Sequence, residues 1–346
     1  MTALFTSIVI AFDPSTFTTS DPKPWGFFVN NTIYKPTGNE SVTYPRYTEV
    51  EDGTLIATTW LRGPAPGYQP IFESKDGGAT WKHISNLNSI DGLGINNHPA
   101  LTVLTEAMGG YAAGTILTSG NVWGTNFTRI DLYASKDTGR TWEFYSDERD
   151  LNHNQKLSHQ ASSDLKTWGP VVNDVAYDEV IDGSGMTVVA YVPPIKNNYP
   201  VYYVLADSPV EFGKNVGQPI VIDGRAPAAS PYVVWSSHGG PNDTIVVSDA
   251  SNRQVFTNTH GGAADRWEKH ATPAGVTYSR AIQILKNRPE HLVVYGGEKY
   301  TDFIQGTGVP FSVTSQSDRG VERACVVDIG EAMSVDDKSD KLGLSM

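Results

Sequence analysis

The sequence predicts an all-β fold, a six-bladed β-propeller in which one or two blades are incomplete. Three observations carry this. The 346 residues include 33 Gly, 21 Pro and 10% aromatics, a composition of short strands and turns. The turn template S-x-D-x-G-x-T-W occurs twice, as "SKDGGATW" from Ser74 and "SKDTGRTW" from Ser135, 61 residues apart, which is a blade-like period. Five apolar segments follow small or polar residues at similar spacing, and no sustained 3.6-residue periodicity interrupts them.

Along the chain, "MTALFTSIVIAF" (Met1–Phe12) is apolar but short, without a basic leader or a small-x-small cleavage site. Residues 1–25 are therefore set apart as a degenerate signal segment, 26–305 as the propeller and 306–346 as a charged, poorly patterned, disordered tail. In each turn template the Asp (Asp76, Asp137) accepts bonds from turn amides, the Gly (Gly78, Gly139) supplies positive φ, and the Trp (Trp81, Trp142) packs between sheets. This is the Asp box, and it is structural. Degenerate copies lie at Ser162–Trp168 and around Gly261–Trp267. In "TRIDLYAS", Ile130, Leu132 and Ala134 face one way and Arg129, Asp131 and Tyr133 the other.

The five apolar segments are "TYPRYTEV" from Thr43, "NHPALTVL" from Asn97, "GSGMTVVA" from Gly183, "ASPYVVWS" from Ala229 and "YSRAIQIL" from Tyr278. Each is read as the innermost strand of a blade, beginning at the central cavity. Measured at Pro45, Pro99, Gly185, Pro231 and Ser279, the steps are 54, 86, 46 and 48 residues. The 86-residue step is too long for one blade and short for two. A sixth inner strand is expected there, and part of a blade is expected to be absent just after Trp142.

The formal charge of −12 and the lack of a basic cluster exclude nucleic acid and anionic membranes as partners. One cysteine, Cys325, excludes an intramolecular disulfide and a multi-cysteine zinc site. His153 and His159 have no nearby third ligand, so neither metal nor cofactor is expected. Sequons at Asn30, Asn39, Asn126 and Asn242 fit an extracellular protein, expected to be a monomer.

The starts of the inner strands supply the candidate binding residues. Arg46 begins the first, as a bidentate donor to hydroxyls or a carboxylate. His98 begins the second. Asp147 and Arg149 are placed at the third, Ser230 and Tyr232 at the fifth, Tyr278 and Arg280 at the sixth.

From Tyr34 to Gly297 the chain resembles glycoside hydrolase family 93, fungal exo-α-1,5-L-arabinanases on a six-bladed, sialidase-like propeller. The segments that carry the resemblance are "VTYPRYTE", "FESKDGGATWKHISNL", "TRIDLYASKDTGRTWEF", "YSDERDLNHNQKLSHQASSDLKTWGPVVNDVAYDE" and "SPYVVWSSHGGPNDTIVVSDA". The resemblance implies a retaining hydrolase of plant cell-wall arabinan. It also marks two departures. Family members carry a W-E-P segment where Phe144 here meets Tyr145, and a Y-E segment followed by glycines where only "IKNN" (Ile195–Asn198) stands. Those segments hold the family's catalytic glutamates, so no residue here is assigned a catalytic role. An Arg-Pro of the family is replaced by Gly183-Ser184. Asp147, Glu148 and Asp150 are candidate substitutes, or pair locally with Arg149. Three readings follow: an arabinan hydrolase whose reading frame lacks two internal segments; a non-catalytic glycan-binding propeller; and a sialidase using Arg46, Arg149 and Arg280 as an arginine triad.

Overall fold

A computed structural model of the chain describes residues 28–63, 66–150, 158–174, 182–185, 188–192, 199–207, 209–238, 242–250, 254–272, 277–278, 280–286, 288–297 and 311–316. Strand β1 (Phe28–Tyr34) comes first. The first blade is β2 (Ser41–Glu49), β3 (Leu55–Arg62), β4 (Gln69–Ser74) and β5 (Lys82–Leu87). The second is β6 (Asn96–Val103), β7 (Ile116–Trp123), β8 (Thr128–Ser135) and β9 (Glu143–Asp150). Next come a short hairpin, β10 (Ser158–His159) with β11 (Val172–Asn173), and a blade of β12 (Asp182–Gly185), β13 (Val188–Val192), β14 (Tyr202–Leu205) and β15 (Gln218–Pro219). The last two are β16 (Tyr232–Ser236), β17 (Thr244–Ser248), β18 (Gln254–Asn258) and β19 (Trp267–Ala271), then β20 (Arg280–Leu285), β21 (Arg288–Gly296) and β22 (Phe311–Gln316). The described residues thus form five four-stranded antiparallel sheets and one two-stranded sheet, with no α-helix.

The last sheet runs β1-β22-β21-β20, so strands from both ends of the chain share one blade. The propeller therefore continues past the expected boundary at 305, because Phe311–Gln316 pairs with both β1 and β21. Residues 1–27 and 317–346, with the expected signal segment, Cys325 and most of the expected tail, lie outside the described residues, as do His153 and the His159 side chain.

Inner strands β6, β2, β20, β16 and β12 lie side by side in that order, and apolar layers fill the space between blades. Val42, Leu55, Ala57 and Phe72 meet Ala281, Val293 and Tyr295 between first and last blades. Val246 and Val255 meet Ile282, Leu292 and Val294, and Val201, Tyr203 and Ile220 meet Val233, Ile245 and Phe256. These layers bury one face of each sheet against its neighbour, as sheet-on-sheet packing requires.

The Asp boxes close the outer hairpins and pin each blade to the one before. Asp137 accepts bonds from the Thr141 amide (2.8 Å), the Thr141 hydroxyl (2.6 Å) and the Ser135 hydroxyl (2.9 Å). Asp76 is bound by Thr80 in the same way. Gly139 sits at φ +83°, and a Cβ there would come within 3.2 Å of Ile71 and 3.3 Å of Ile84. Trp81 packs edge-on to Tyr295 (6.3 Å), and Trp142 packs against the Ile56–Ile71–Ile116 layer. The degenerate copies are real turns. Asp164 accepts the Lys166 and Thr167 amides at 2.8 and 2.7 Å, and Asn258 accepts the Gly262 amide at 2.9 Å.

The third blade is reduced. In the first two blades the Asp box joins the third and fourth strands; here it joins β10 to β11. The hairpin is therefore the outer half of a blade, and no inner pair accompanies it among the described residues. The cause is chain length. Trp81 and Ser135 are 54 residues apart, but Trp142 and Ser162 only 20, too few for one outer strand and two inner ones of about 5–6 residues each plus turns. The chain instead extends β9 through Tyr145–Asp150, pairing Asp147 with Asp131 and Arg149 with Arg129.

A second expectation is also corrected. "GSGMTVVA" is not one inner strand. It divides into β12 and β13, which fold back as a hairpin with Gly185 opposite Val189 and Gly183 opposite Tyr191.

Candidate functional site

The inner strands of three blades begin with unusual backbone. Tyr44 (φ 52°), His98 (φ 36°), Ala229 (φ 59°) and Ser230 (φ 43°) are left-handed without being glycine. The ladder slips between Thr43 and Arg46 in β2 and between Asn96 and Ala100 in β6. Each such residue costs about 1–3 kcal/mol and persists where its surroundings over-determine it, commonly at a functional site. Each bulge re-aims the side chains at the start of its strand.

Those side chains meet. The His98 ring lies 4.2 Å from that of Tyr44. Tyr278 meets Tyr44 edge-on at 5.9 Å, and Trp60 stacks on its far side at 6.4 Å and 25°. Beside them, the Arg46 guanidinium lies 5.1 Å over the Tyr232 ring, and its Nη1 donates to the Pro45 carbonyl at 2.8 Å. Strand β2 is anchored from below, where the Tyr47 hydroxyl donates to the Ile282 carbonyl and its ring stacks on Tyr295 at 4.7 Å.

Electrostatics follow from burial. Burial, with Arg46 nearby, lowers the His98 imidazole to about 4, so it is neutral at neutral pH. Burial likewise lowers the Arg280 guanidinium to about 10, opposed by the Asp249 carboxylate. The cluster joins aromatic rings, Tyr44 and Trp60 largely buried, to the Arg46 cation and a neutral imidazole. It can stack a sugar ring and donate to hydroxyls.

Arg46, His98, Tyr232 and Tyr278, all read from the sequence, are thus brought together. Ser230 adjoins them but is 5% exposed. Arg280 starts β20, is 1% exposed, and donates from Nη1 to the Gln254 carbonyl at 3.0 Å, a structural position between blades. Asp147 and Arg149 are not at an inner strand; they lie on β9, the outermost strand of the second blade. The proposed arginine triad is therefore not assembled. Sequence reasoning passed over Tyr44 and Trp60. Tyr44 stood inside the quoted "TYPRY", where a Tyr-Pro before an Arg marks the bulge. Trp60 had no signal, because it enters by pairing opposite Thr43. Among the described residues no three His, Cys, Asp or Glu gather as a metal site.

No family model matches the chain, and no curated protein matches it. Solved structures do. The α-L-arabinofuranosidase of Fusarium graminearum, a mutant in complex with an iminosugar inhibitor, is 31% identical over 84% of this chain and 97% of that one, with a TM-score of 0.77. The same enzyme, described as of family GH93 and bound to arabinobiose, is 32% identical over 84% and 97%, at 0.76. This chain belongs to glycoside hydrolase family 93. A Penicillium chrysogenum α-L-arabinanase bound to arabinobiose is 27% identical over 84% and 98%, at 0.73. A sialidase of Streptococcus pneumoniae, 11% identical over 87% and 71% at 0.54, shares the fold. The family-93 scaffold is thus a sialidase-like propeller of arabinan-acting glycosidases, and the aromatic cluster around Tyr44 sits at the inner-strand starts of that scaffold.

Proposed function

We propose that this chain is an extracellular family-93 protein that holds arabinan ends or short arabino-oligosaccharides against Tyr44, Tyr278 and Tyr232, and that it does not hydrolyse them. The observation that carries this reading is the convergence of Arg46, His98, Tyr44, Tyr232 and Tyr278 at bulged strand starts. Tyrosine faces offer platforms for a furanose ring, and Arg46 donates to its hydroxyls. Neutral His98 adds a hydrogen-bonding edge without a second positive charge. Retaining hydrolysis needs one carboxyl to protonate the leaving oxygen and another, about 5 Å away, to attack the anomeric carbon. Asp249, beside the start of β16, is fully buried and accepts the Ala228 amide at 3.1 Å. It is therefore not placed for either role.

The test pairs calorimetric titration of arabinobiose and arabinotriose with an assay for sugar release from arabinan, both on purified 346-residue protein. Binding without release, weakened by Tyr44→Ala, is expected. No binding overturns the recognition reading. Release that survives purification overturns the non-hydrolytic one.

The half-length third blade favours a second reading, in which a working hydrolase carries two further internal segments. Sequencing the transcript across the codons for Trp142–Ser146 and Pro194–Tyr199 decides it. Extra in-frame sequence with W-E-P and Y-E motifs makes the protein an exo-acting retaining arabinanase; a transcript that reads as here retains the binding function.

A further inference from the structure

Among the described residues the third blade has no inner pair, and its short hairpin covers part of one face of the second blade. On that face Ala134 and Leu117 are buried under Leu165 and Trp168 of the short hairpin. Toward the channel mouth the cover ends. Trp123 is 47% exposed and Ile130 51% exposed. The register places them on one face, since Trp123 pairs with Thr128 and Ile130 with Asn121. The opposite face of the same strands is fully packed, with Val122 at 0% and Tyr133 at 2%. Exposed apolar surface of this kind is an association liability unless something covers it.

The turn above this face carries a sequon, Asn126-Phe127-Thr128. The Gly124 amide donates to the Phe127 carbonyl at 2.9 Å, which puts Thr125 and Asn126 at the tip. The Arg129 guanidinium lies 5.9 Å over the Phe127 ring, and the Phe127 ring fills the space a Cβ on Gly124 would need. The turn is therefore held, with Asn126 exposed at its apex. Thr128 sits opposite Trp123 on the open face. The other sequons sit in different settings. Asn30 lies in paired strand β1. Asn39 is followed by Glu40, bound to Tyr34 and Thr37, and Asn242 bridges to His260.

We propose that Asn126 is N-glycosylated and that its glycan lies over Trp123 and Ile130, covering the face that a complete third blade would cover. The step is transfer of an oligosaccharide from a lipid-pyrophosphate donor by the host transferase. A bond forms between the sugar C1 and Asn126 Nδ2, the C1–O bond to pyrophosphate breaks, the lipid pyrophosphate leaves, and the amide nitrogen loses a proton. The attached sugar is bulky and solubilising, and an indole is a rigid apolar platform for its first ring.

The experiment expresses the full chain behind a host secretion leader in a eukaryotic host. Glycopeptides are mapped from both secreted and lumenal protein. Asn126 is expected to be occupied, and Asn126→Gln or Thr128→Ala each to lose one step of the glycosidase-sensitive mobility shift, while Thr128→Ser keeps it. Enzymatic removal of glycan from the folded protein is expected to raise binding of an apolar dye, a rise lost in Trp123→Ser. An unoccupied Asn126 overturns the proposal. So does deglycosylation that leaves dye binding unchanged, or a rise that persists in Trp123→Ser.

Discussion

Lowering the pH should destabilise this protein through His98. The folded imidazole titrates near 4 against a reference of 6.5, chiefly from burial and secondarily from Arg46. A base whose folded pKa is lowered must lose its proton to fold. Its contribution is intact above 6.5 and is lost as the pH falls toward 4. At about 1.4 kcal/mol per unit the loss is on the order of 3 kcal/mol, less where water reaches the ring edge. Tyr44, against the ring, carries no compensating charge, and Arg46 nearby is positive. Urea unfolding would be followed at neutral pH and near pH 4 for wild type and for His98→Gln. His270 is also lowered by burial, against Glu268, so both proteins weaken with acid, and the variant should weaken less by roughly 2–3 kcal/mol. Parallel pH dependences would refute the reasoning. The same protonation places a second cation beside Arg46, so affinity for neutral arabino-oligosaccharides should fall over the same window.

Three further outcomes are expected. Asp137→Ala leaves the amides of Arg140 and Thr141 without their acceptor and should cost about 1–3 kcal/mol in chemical denaturation, whereas Asp137→Asn recovers part of it. Asp131 is fully buried against Arg129, which also reaches Asp91 at 2.8 Å. Asp131→Ala removes the buried partner and leaves Arg129 to the partly exposed Asp91, which should cost about 3 kcal/mol, whereas replacing Arg129 and Asp131 together by apolar residues should cost less. With 20 residues between Trp142 and Ser162, too few for a full set of strands, the 346-residue chain should unfold early in a calorimetric scan; a single cooperative transition at high temperature would contradict that.

Much of the fold was legible because its signals are local. An Asp, a Gly and a Trp at fixed offsets describe one turn, and the bonds made by Asp76 and Asp137 need no distant partner. Inner-strand segments such as "RAIQIL", buried along nearly its whole length, announce themselves as apolar runs. The anomaly in spacing after Trp142 was legible as well, as a count of residues. The aromatic cluster was legible by half. Arg46, His98, Tyr232 and Tyr278 lie at strand starts, which a blade period locates.

Where Asp147 and Arg149 would go was not legible. A strand such as "YSDERD" pairs with whichever edge is free, and with no intervening segment the free edge was β8. Nor could sequence tell that Arg280 is buried between blades while Arg46 lies over Tyr232, since both simply follow a strand start. By itself, then, the sequence determined the blade architecture, the Asp-box turns and the shortage of chain in the third blade, because each depends on residues near one another in the chain. Tertiary structure alone decided which strand starts face the channel, which cations are consumed by neighbours and which apolar face is left uncovered, because those depend on contacts between blades whose register no local pattern encodes.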